Sequence, residues 1–204
     1  MKWSFNIKKK NYLTYSWFVY KIIIFFLYKV LGKGINFMQI VSGLEIEIDV
    51  NSKNIYPLIF FLKKHTFSQC KSIMDIICSD TPNKKYRFSI IYNLLSVNYN
   101  LRVRVISKIK EFWNVISLVG LFKSISWSER EVFDFFGIFF IGNNDLRRIL
   151  TDYGFNGFPL RKDFPLTGFI DVYYDDNQKR ICYKKLELTQ EYRNFKLKSI
   201  WRLN

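Results

Sequence analysis

Strict alternation of apolar and acidic residues over Leu44–Val50 is the clearest pattern in the sequence. A two-residue period puts the apolar side chains on one face of a β-strand and the acidic ones on the other, so we predict a strand with one solvated face. Residues 51–53 have the composition of a turn. In the apolar run that follows, Pro57 falls early enough to occupy the first turn of a helix that ends near Lys64.

Three more apolar segments of strand length follow this helix, at Ile73–Cys78, Phe88–Leu94 and Leu101–Val105. The short polar link between the last two predicts a β-hairpin. With a helix upstream in the apolar stretch Tyr12–Leu31, the predicted order along the chain is helix, two strands, helix, three strands. This order predicts an α/β (α+β) two-layer sandwich, in which a mixed sheet of about five strands carries helices on one face.

The stretch Tyr12–Leu31 also approaches the length of about 20 residues that a bilayer requires. Thr14, Lys21 and Tyr28 recur at intervals of seven residues and therefore lie along one polar stripe of the helix. Lys21 would lie near the bilayer centre, where a charge is costly. A helix with one polar stripe is more typical of a docked helix than of a transmembrane span, so we predict no span.

The character of the chain changes at Gly137, and five of the nine glycines and two of the four prolines lie from this residue onward. Neither hydrophobic period persists there, but the region is rich in Phe and Tyr, whose rings are expected to bury against a partner. We therefore predict three parts: a basic and apolar helical extension at residues 1–34, an α/β sandwich domain at 35–137, and a largely extended C-terminal arm at 138–204 that docks on neighbouring subunits.

The charge of the chain raises an alternative function. The net charge of +15 favours an RNA-binding protein, such as an organellar ribosomal protein, as an alternative function. Seven lysines and no acidic residue lie within residues 1–44, away from the densest motifs, and no RNA-recognition motif accompanies them. The absence of alanine and the abundance of Phe, Ile, Asn, Lys and Tyr are typical of AT-rich coding sequences and hint at an organellar gene.

The cysteine and histidine residues give little material for a metal site. The three cysteines, Cys70, Cys78 and Cys182, have no paired spacing, and His65 is the single histidine. Structural zinc and iron–sulfur clusters need about four ligands for each site, so we expect no metal and no redox cofactor in this chain. Unpaired cysteines indicate reduced thiols in a matrix-like or cytosol-like compartment.

Residues 128–131 have the pattern of a helix capping box, with Ser128 as the N-cap and Glu131 reaching back to it. Arg130 and Asp134 stand four residues apart and predict an ion pair, and Gly137 can end the short helix. Capping and pairing explain the carboxylates of this segment without acid–base chemistry. Because the sequence also lacks a nucleophile–base pair and a phosphate-binding glycine loop, a stand-alone enzyme is not favoured.

The capping box opens the segment 129–138, Glu-Arg-Glu-Val-Phe-Asp-Phe-Phe-Gly-Ile, and ordered motifs continue at 145–155, 157–168 and 190–195. This series resembles the signature of the thirty-kilodalton (C-type, organelle-encoded subunit nine) subunit family of NADH:ubiquinone oxidoreductase, respiratory complex I. The resemblance runs from about residue 35 to the end of the chain. We expect the matching positions to shape interfaces; they are Glu129, Arg130, Glu131, Asp134, Gly137, Asp145, Arg147, Arg148, Asp152, Tyr153, Gly154, Arg161, Lys162, Asp163, Phe164 and Pro165.

The resemblance implies a core subunit of the peripheral arm of complex I, with no catalytic residue of its own. Such a subunit supports the quinone-site (forty-nine-kilodalton-type) subunit in electron transfer from NADH to ubiquinone coupled to proton translocation. Flavin and iron–sulfur clusters are then expected in partner subunits, chiefly the adjacent iron–sulfur subunits, and no nucleic acid is bound. The implied location is the matrix side of the mitochondrial inner membrane, with the chain encoded in the organelle.

Two positions depart from the family pattern. The family usually has His-Pro where this chain has Asn143-Asn144, and again where it has Phe158-Pro159. Neither imidazole is therefore available here. The alternating basic and acidic residues of segment 145–163 favour paired contacts with a neighbouring subunit, and the alternative is that they satisfy turns of the arm itself.

Overall fold

The computed structural model describes residues 25–30, 34–41 and 45–195. Five strands are present in its first part: β1 Ile35–Val41, β2 Glu45–Asn51, β3 Ser72–Asp80, β4 Phe88–Ser96 and β5 Leu101–Ile109. They form one mixed sheet in the order β1-β2-β5-β4-β3, which confirms the predicted α+β sheet. Strands β2 and β5 are parallel, and the other neighbours are antiparallel.

The alternation in β2 has the predicted result, because Ile46, Ile48 and Val50 are fully buried on one face of the sheet. Glu45 on the other face accepts a hydrogen bond from Arg104 of β5 at 2.8 Å. The parallel register places the acidic residues of β2 beside basic residues of β5, so the solvated face is neutralised by pairs within the chain. The predicted hairpin is confirmed by the antiparallel pairing of β4 with β5.

Two helices complete the core. Helix α1 (Ile55–Lys64) follows a 3₁₀ turn at Ser52–Asn54 and ends where the sequence predicts. Helix α2 (Ile125–Phe136) is flanked by two short strands, β6 (Val115–Ile116) and β7 (Phe140–Ile141), which pair in parallel. Buried side chains of α1, α2 and the sheet form one continuous hydrophobic cluster.

The upstream helix is described only at residues 25–30, so the prediction for residues 12–24 and 31 lies outside the described residues. Within the described helical part, Leu27 is buried, and the Phe26 ring lies 4.9 Å from the His65 ring. No helix in the described part of the chain is long and apolar enough to cross a membrane.

By its contacts, the chain divides into Met1–Asp163 and Phe164–Asn204. Residues 138–163 thus belong with the sheet unit, whereas the sequence placed the boundary at Gly137. The second unit holds an antiparallel hairpin of β8 (Ile170–Asp175) and β9 (Arg180–Lys185), a regular element that the sequence analysis did not identify. The alternation of the hairpin is short and imperfect: Tyr173 interrupts the polar face, and Lys185 ends the apolar face formed by Ile170, Val172 and Tyr174 with Ile181 and Tyr183.

Candidate functional site

The start of α2 differs from the prediction. The helix begins at Ile125 after the N-cap residue Ser124, whose side chain makes no capping hydrogen bond. Ser128 and Glu131 therefore lie inside the helix, and the predicted capping box is wrong. The physical reason lies in tertiary packing. The side chain of Ile125 is buried, and its burial extends the helix by one turn at its N-terminal end. Packing therefore outweighs the local preference for a cap at Ser128.

Glu129 lies on the buried face of α2 and holds the two segments that flank this helix. Its carboxylate accepts hydrogen bonds from the Ser117 hydroxyl at 2.7 Å, the Leu118 N–H at 2.8 Å and the Asn143 side-chain amide at 3.0 Å. Burial raises the pKa of Glu129, although these donors favour the charged form. Asn143, one of the two departures from the family pattern, thus serves as a donor to a buried carboxylate.

Asp134 is the second buried carboxylate of α2, and its side chain is fully shielded from solvent. Its Oδ2 accepts the N–H groups of Ile149, Leu150 and Thr151 at 3.2, 2.8 and 2.9 Å. Its Oδ1 accepts the Thr151 hydroxyl at 2.6 Å and the Arg148 guanidinium at 3.0 Å. Burial alone would raise the pKa of Asp134, but these bonds outweigh it and hold the pKa at about 2. One carboxylate therefore fixes the loop at 148–151.

Arg130 does not pair with Asp134, so the predicted ion pair four residues apart is wrong. Its Nε donates to the Arg147 carbonyl at 3.1 Å, and its Nη1 lies 3.7 Å from Asp145. Its guanidinium also lies 5.0 Å from the centre of the Trp127 ring. Because Asp134 is engaged by Arg148, Arg130 is left to bind the preceding part of the same loop.

Gly137 ends α2 in the left-handed conformation, with φ of 72°, which confirms the predicted stop. Arg161 caps the same helix end, because its Nε donates to the Phe136 carbonyl at 2.7 Å. The Arg161 guanidinium also lies 4.6 Å from the centre of the Phe158 ring. Phe158, the second departure from the family pattern, is thus part of a cation–π contact at the end of the helix.

A second network, which the sequence analysis missed, is centred on Arg87 at the start of β4. Its guanidinium contacts Asp80 at 3.0 Å, Glu111 at 2.9 Å and Asp163 at 2.8 Å. Arg161 reaches Glu111 at 3.0 Å, which joins this network to the end of α2. Burial would raise the pKa of Asp80, but its hydrogen bonds with Arg87 and a backbone N–H keep it below the usual range. Separations of up to 76 residues leave no local signal for these contacts.

The structure gives the predicted site residues different roles. Those that bind the segment 145–163 to α2 and the residues around the sheet are Arg130, Asp134, Asp145, Arg148, Arg161, Lys162 and Asp163. Glu129 binds the segments that flank α2, and Gly137 ends this helix. Those that are exposed are Glu131, Arg147, Asp152, Tyr153 and Gly154. Phe164 and Pro165 belong to the second unit. The charges of segment 145–163 are engaged mainly by α2 and by residues that adjoin the sheet, within the same chain.

The thiols of this chain do not fit an iron–sulfur cluster. Such a cluster is held by about four donors, mostly cysteine thiolates, whereas the chain has three cysteines. Burial raises the pKa of Cys70 and of Cys78 to about 12, which disfavours the thiolate form. Among residues 25–30, 34–41 and 45–195, no group of three or more His, Cys, Asp or Glu side chains could hold a metal ion.

The buried state of Glu129 leads to a prediction about pH. Its pKa is raised in the folded chain, so the native state binds more protons than the unfolded state between the two pKa values. The contribution of Glu129 to the free energy of unfolding therefore falls as pH rises from about 4.3, the usual Glu pKa, through the raised value. We expect Glu129→Gln to remove this decline, as measured by urea unfolding between pH 4 and pH 8.

Glu131→Gln is the matched control for Glu129→Gln, because it removes a carboxylate from the exposed face of the same helix. The difference between the pH profiles of wild type and Glu129→Gln should clearly exceed the difference between wild type and Glu131→Gln. Parallel profiles for wild type and Glu129→Gln would contradict the assignment of Glu129 as the buried, titrating group.

Comparison with known proteins adds the family context of this site. Residues 48–170 match the family described as respiratory-chain NADH dehydrogenase, 30 Kd subunit. The chain is 52% identical over 157 residues to NADH-ubiquinone oxidoreductase subunit 9 of Reclinomonas americana, with 77% of each protein covered. It is 49% identical over 153 residues to NADH dehydrogenase (ubiquinone) iron-sulfur protein 3 of Solanum tuberosum, with 75% of this chain and 80% of the relative covered.

Two solved structures share the fold at lower identity. A trypsin-resistant fragment of Nqo5 is 22% identical, with a TM-score of 0.53, and covers 61% of this chain and 98% of the fragment. A chain of the membrane-bound sulfane sulfur reductase, an archaeal respiratory membrane complex, is 21% identical, with a TM-score of 0.63, and covers 72% of this chain and 85% of that chain. At these identities the likeness concerns the fold alone.

Proposed function

Because this chain belongs to the 30 kDa subunit family of respiratory-chain NADH dehydrogenase, we propose that it is a non-catalytic core subunit of the peripheral arm of that enzyme. Its role is then to support the quinone-site subunit while electrons pass from NADH to ubiquinone. The family assignment favours this function over the RNA-binding alternative. The complex as a whole is an oxidoreductase, and this chain contributes structure to it.

The observation that carries this proposal is the engagement of the two buried carboxylates. Glu129 and Asp134 have both of their oxygens occupied by donors from the same chain. A general acid or base must reach a substrate proton, and these groups are shielded from solvent. They act instead as fixed points. Glu129 holds the two segments that flank α2, and Asp134 holds the loop at 148–151, so that exposed residues such as Tyr153 stand at defined positions.

The same proposal places the redox groups in other chains. The three cysteines do not fit an iron–sulfur cluster, so flavin and clusters are assigned to partner subunits, although some relatives are named iron-sulfur protein 3. The proposed partners are chiefly the quinone-site (forty-nine-kilodalton-type) subunit and the adjacent iron–sulfur subunits. A relative in Candida maltosa is named mitochondrial, which supports a mitochondrial location, and we place the chain on the matrix side of the inner membrane.

The C-terminal hairpin supports docking on neighbouring subunits. An isolated two-stranded hairpin is at best marginally stable in water, and this one has no third strand among the described residues. Its large apolar side chains are about half exposed or more on both strands: Ile170, Val172, Tyr173, Tyr174, Ile181 and Tyr183. A contiguous surface of this kind is typical of an interface, and interleaved charges can set its register.

We expect a chain that ends at Asp163 to fold but to fail to join the enzyme. The cut falls at the boundary between the two contact units, so the sheet unit keeps all of its ion pairs and should unfold with nearly the wild-type free energy. Incorporation should be lost, because the hairpin is absent. Native gel electrophoresis stained for NADH oxidation measures incorporation, and urea unfolding measures the fold.

A cut before Asp145 is the informative comparison, because it would also remove Arg148 and Arg161. Asp134 would then lose its cation and Glu111 one of its two, so the sheet unit should lose stability as well as assembly. Normal incorporation of the chain that ends at Asp163 would contradict the docking role of the arm. Sedimentation of the full chain with ribosomes, without the NADH-oxidising complex, would favour the RNA-binding alternative.

A further inference from the structure

A cleft of about 390 Å³ lies between the loop that joins β3 to β4 and the residues that follow β5. Lys84 and Lys85 line it from the first segment, and Lys110, Phe112 and Trp113 line it from the second. None of these five residues belongs to a motif singled out in the sequence. We refer to this feature as the lysine cleft.

The lysine cleft brings together three lysines whose charge is not offset by a carboxylate of the described chain. None of the three has a carboxylate within ion-pair distance among the described residues, and all three are exposed. By contrast, a carboxylate lies within ion-pair distance of several basic side chains in the same unit, among them Arg87, Arg104, Lys108, Arg130, Arg148 and Arg161. The lysine cleft therefore concentrates positive charge that the described chain leaves uncompensated.

Glu111 is the one acidic residue that lines the lysine cleft, and its carboxylate is already paired with two arginines. Its Oε1 accepts a hydrogen bond from Arg87 at 2.9 Å and another from Arg161 at 3.0 Å. Glu111 is thus held by two arginines and is not paired with any lysine of the cleft. The same contacts fix the position of Glu111, so the wall that faces the lysines is held in place by the network around Arg87.

Aromatic side chains give the cleft an apolar component. Phe112 is 89% exposed and Trp113 is 43% exposed, although both are large apolar residues. Trp113 is oriented by its neighbours: its ring meets Tyr86 edge to face at 6.4 Å, and the Lys110 ammonium lies 5.3 Å from its centre. Exposed aromatic residues beside a concave surface are typical anchors of a protein interface.

We propose that the lysine cleft binds an acidic segment of a neighbouring polypeptide in the assembled enzyme. Carboxylates of that segment pair with Lys84, Lys85 and Lys110, and one of its apolar side chains packs on Phe112 and Trp113. This proposal rests on the proposed function, which places the chain inside a complex of several subunits. Charge complementarity supplies the argument for the occupant, because the cleft lacks carboxylates that are free to pair.

The chemistry of lysine favours a polypeptide segment. An ammonium group on a flexible stem is a point charge that adapts to carboxylates in varied positions, whereas ordered phosphate recognition commonly uses the fork of an arginine. The one arginine of the cleft, Arg87, is fully engaged by Asp80, Glu111 and Asp163. A phospholipid headgroup offers charge to the same lysines and is distinguished in the experiment.

The test places a photo-reactive phenylalanine analogue at position 112 of the full-length chain, within the purified, assembled enzyme. This position is 89% exposed, so the substitution leaves the fold intact. We expect irradiation to link position 112 to a peptide of another subunit, with Asp or Glu residues next to the linked site when mapped by mass spectrometry. A link to phospholipid, a link to a peptide without acidic residues, or no link would overturn the proposal.

Charge reversal provides the second arm. Lys84→Glu, Lys85→Glu and Lys110→Glu together should reduce the yield of the link by about tenfold or more, because attraction becomes repulsion. The control is Lys53→Glu, Lys71→Glu and Lys123→Glu, which makes the same change of net charge at exposed lysines outside the cleft and should leave the yield unchanged. Equal yields in the two triple variants would overturn the proposal.

The experiment distinguishes an error in the proposed function from an error in the proposed ligand of the lysine cleft. Co-migration of the wild-type chain with NADH-oxidising activity reports membership of the enzyme, and its absence counts against the proposed function. A chain that co-migrates but gives no link to an acidic segment counts against the lysine cleft alone. The same analogue at Val97, 73% exposed in the turn between β4 and β5, shows the background from a surface outside the cleft.

Discussion

Asp134→Ala is expected to lower the free energy of unfolding by about 3–5 kcal/mol, the usual cost of removing one partner from a buried ion pair. The substitution leaves Arg148 without its carboxylate and three backbone N–H groups, at residues 149–151, without an acceptor. Each such group is costly to bury unsatisfied. Urea unfolding followed by circular dichroism measures the loss, and native gels show whether the altered loop still permits assembly.

Glu131→Ala is the matched control, since Glu131 lies on the exposed face of the same helix three residues earlier. We expect a change within about 0.5 kcal/mol, as for most surface substitutions. A capping box would instead predict a loss of about 0.5–2 kcal/mol at this position. A larger loss at Glu131 than at Asp134 would contradict both the observed helix start and the role of Asp134.

The pH dependence gives an independent check on Asp134. Its pKa is about 2 in the folded chain, below the value of about 3.9 for an unfolded Asp, so the unfolded state binds the proton more readily. The stability that Asp134 contributes is therefore fully present above about pH 3.9 and is lost as pH falls through about 2. Asp134→Asn should unfold with a weaker acid dependence than wild type across this range.

Gly137→Ala is expected to lower the free energy of unfolding by about 2–5 kcal/mol, for two separate reasons. The left-handed conformation, with φ of 72°, costs an L-residue about 1–2 kcal/mol. A Cβ atom would also lie 2.6 Å from the Phe158 ring and 2.8 Å from Arg161 Nη2, and such overpacking costs about 1–3 kcal/mol. Arg161 cannot simply withdraw, because it is held by the Phe136 carbonyl and by Glu111.

Gly154→Ala separates the two sources of this cost. Gly154 has a similar φ of 75°, but no atom lies within 4 Å of the position that its Cβ would take. Gly154→Ala should therefore lower the free energy of unfolding by only about 1–2 kcal/mol, the cost of the left-handed conformation. Adding Phe158→Leu to Gly137→Ala should recover most of the packing part and leave the conformational part. If Gly137→Ala and Gly154→Ala lowered the free energy of unfolding equally, the contact with Phe158 and Arg161 would contribute nothing to the cost.

The two departures from the family pattern become intelligible only in the structure. Asn143 donates an amide N–H to the buried Glu129, and Phe158 lies under the Arg161 guanidinium. Each residue fills its position with an interaction of its own type, a hydrogen bond in one case and a cation–π contact in the other. Neither environment contains a feature that requires an imidazole for chemistry, which agrees with a structural role for this segment.

Several elements were determined by the sequence alone. The alternation over Leu44–Val50, the early proline of α1, the polar link before β5 and Gly137 each act within one or two turns or a few strand positions. The physical causes are local: the period of side chains along a strand, the fixed φ of proline, and the tolerance of glycine for a positive φ. All four predictions were confirmed. The ordered motifs over residues 129–168 were likewise sufficient to identify the family.

The tertiary structure alone decided the partners of the charged residues. Locally, Ser128 and Glu131 form a capping box and Arg130 pairs with Asp134, but burial of Ile125 and the approach of Arg148 replace both arrangements. A buried carboxylate takes the donors that enclose it most completely, wherever they lie in the sequence. The sequence contains these charged residues, but packing decides which of them form pairs, and the paired side chains lie up to 76 positions apart.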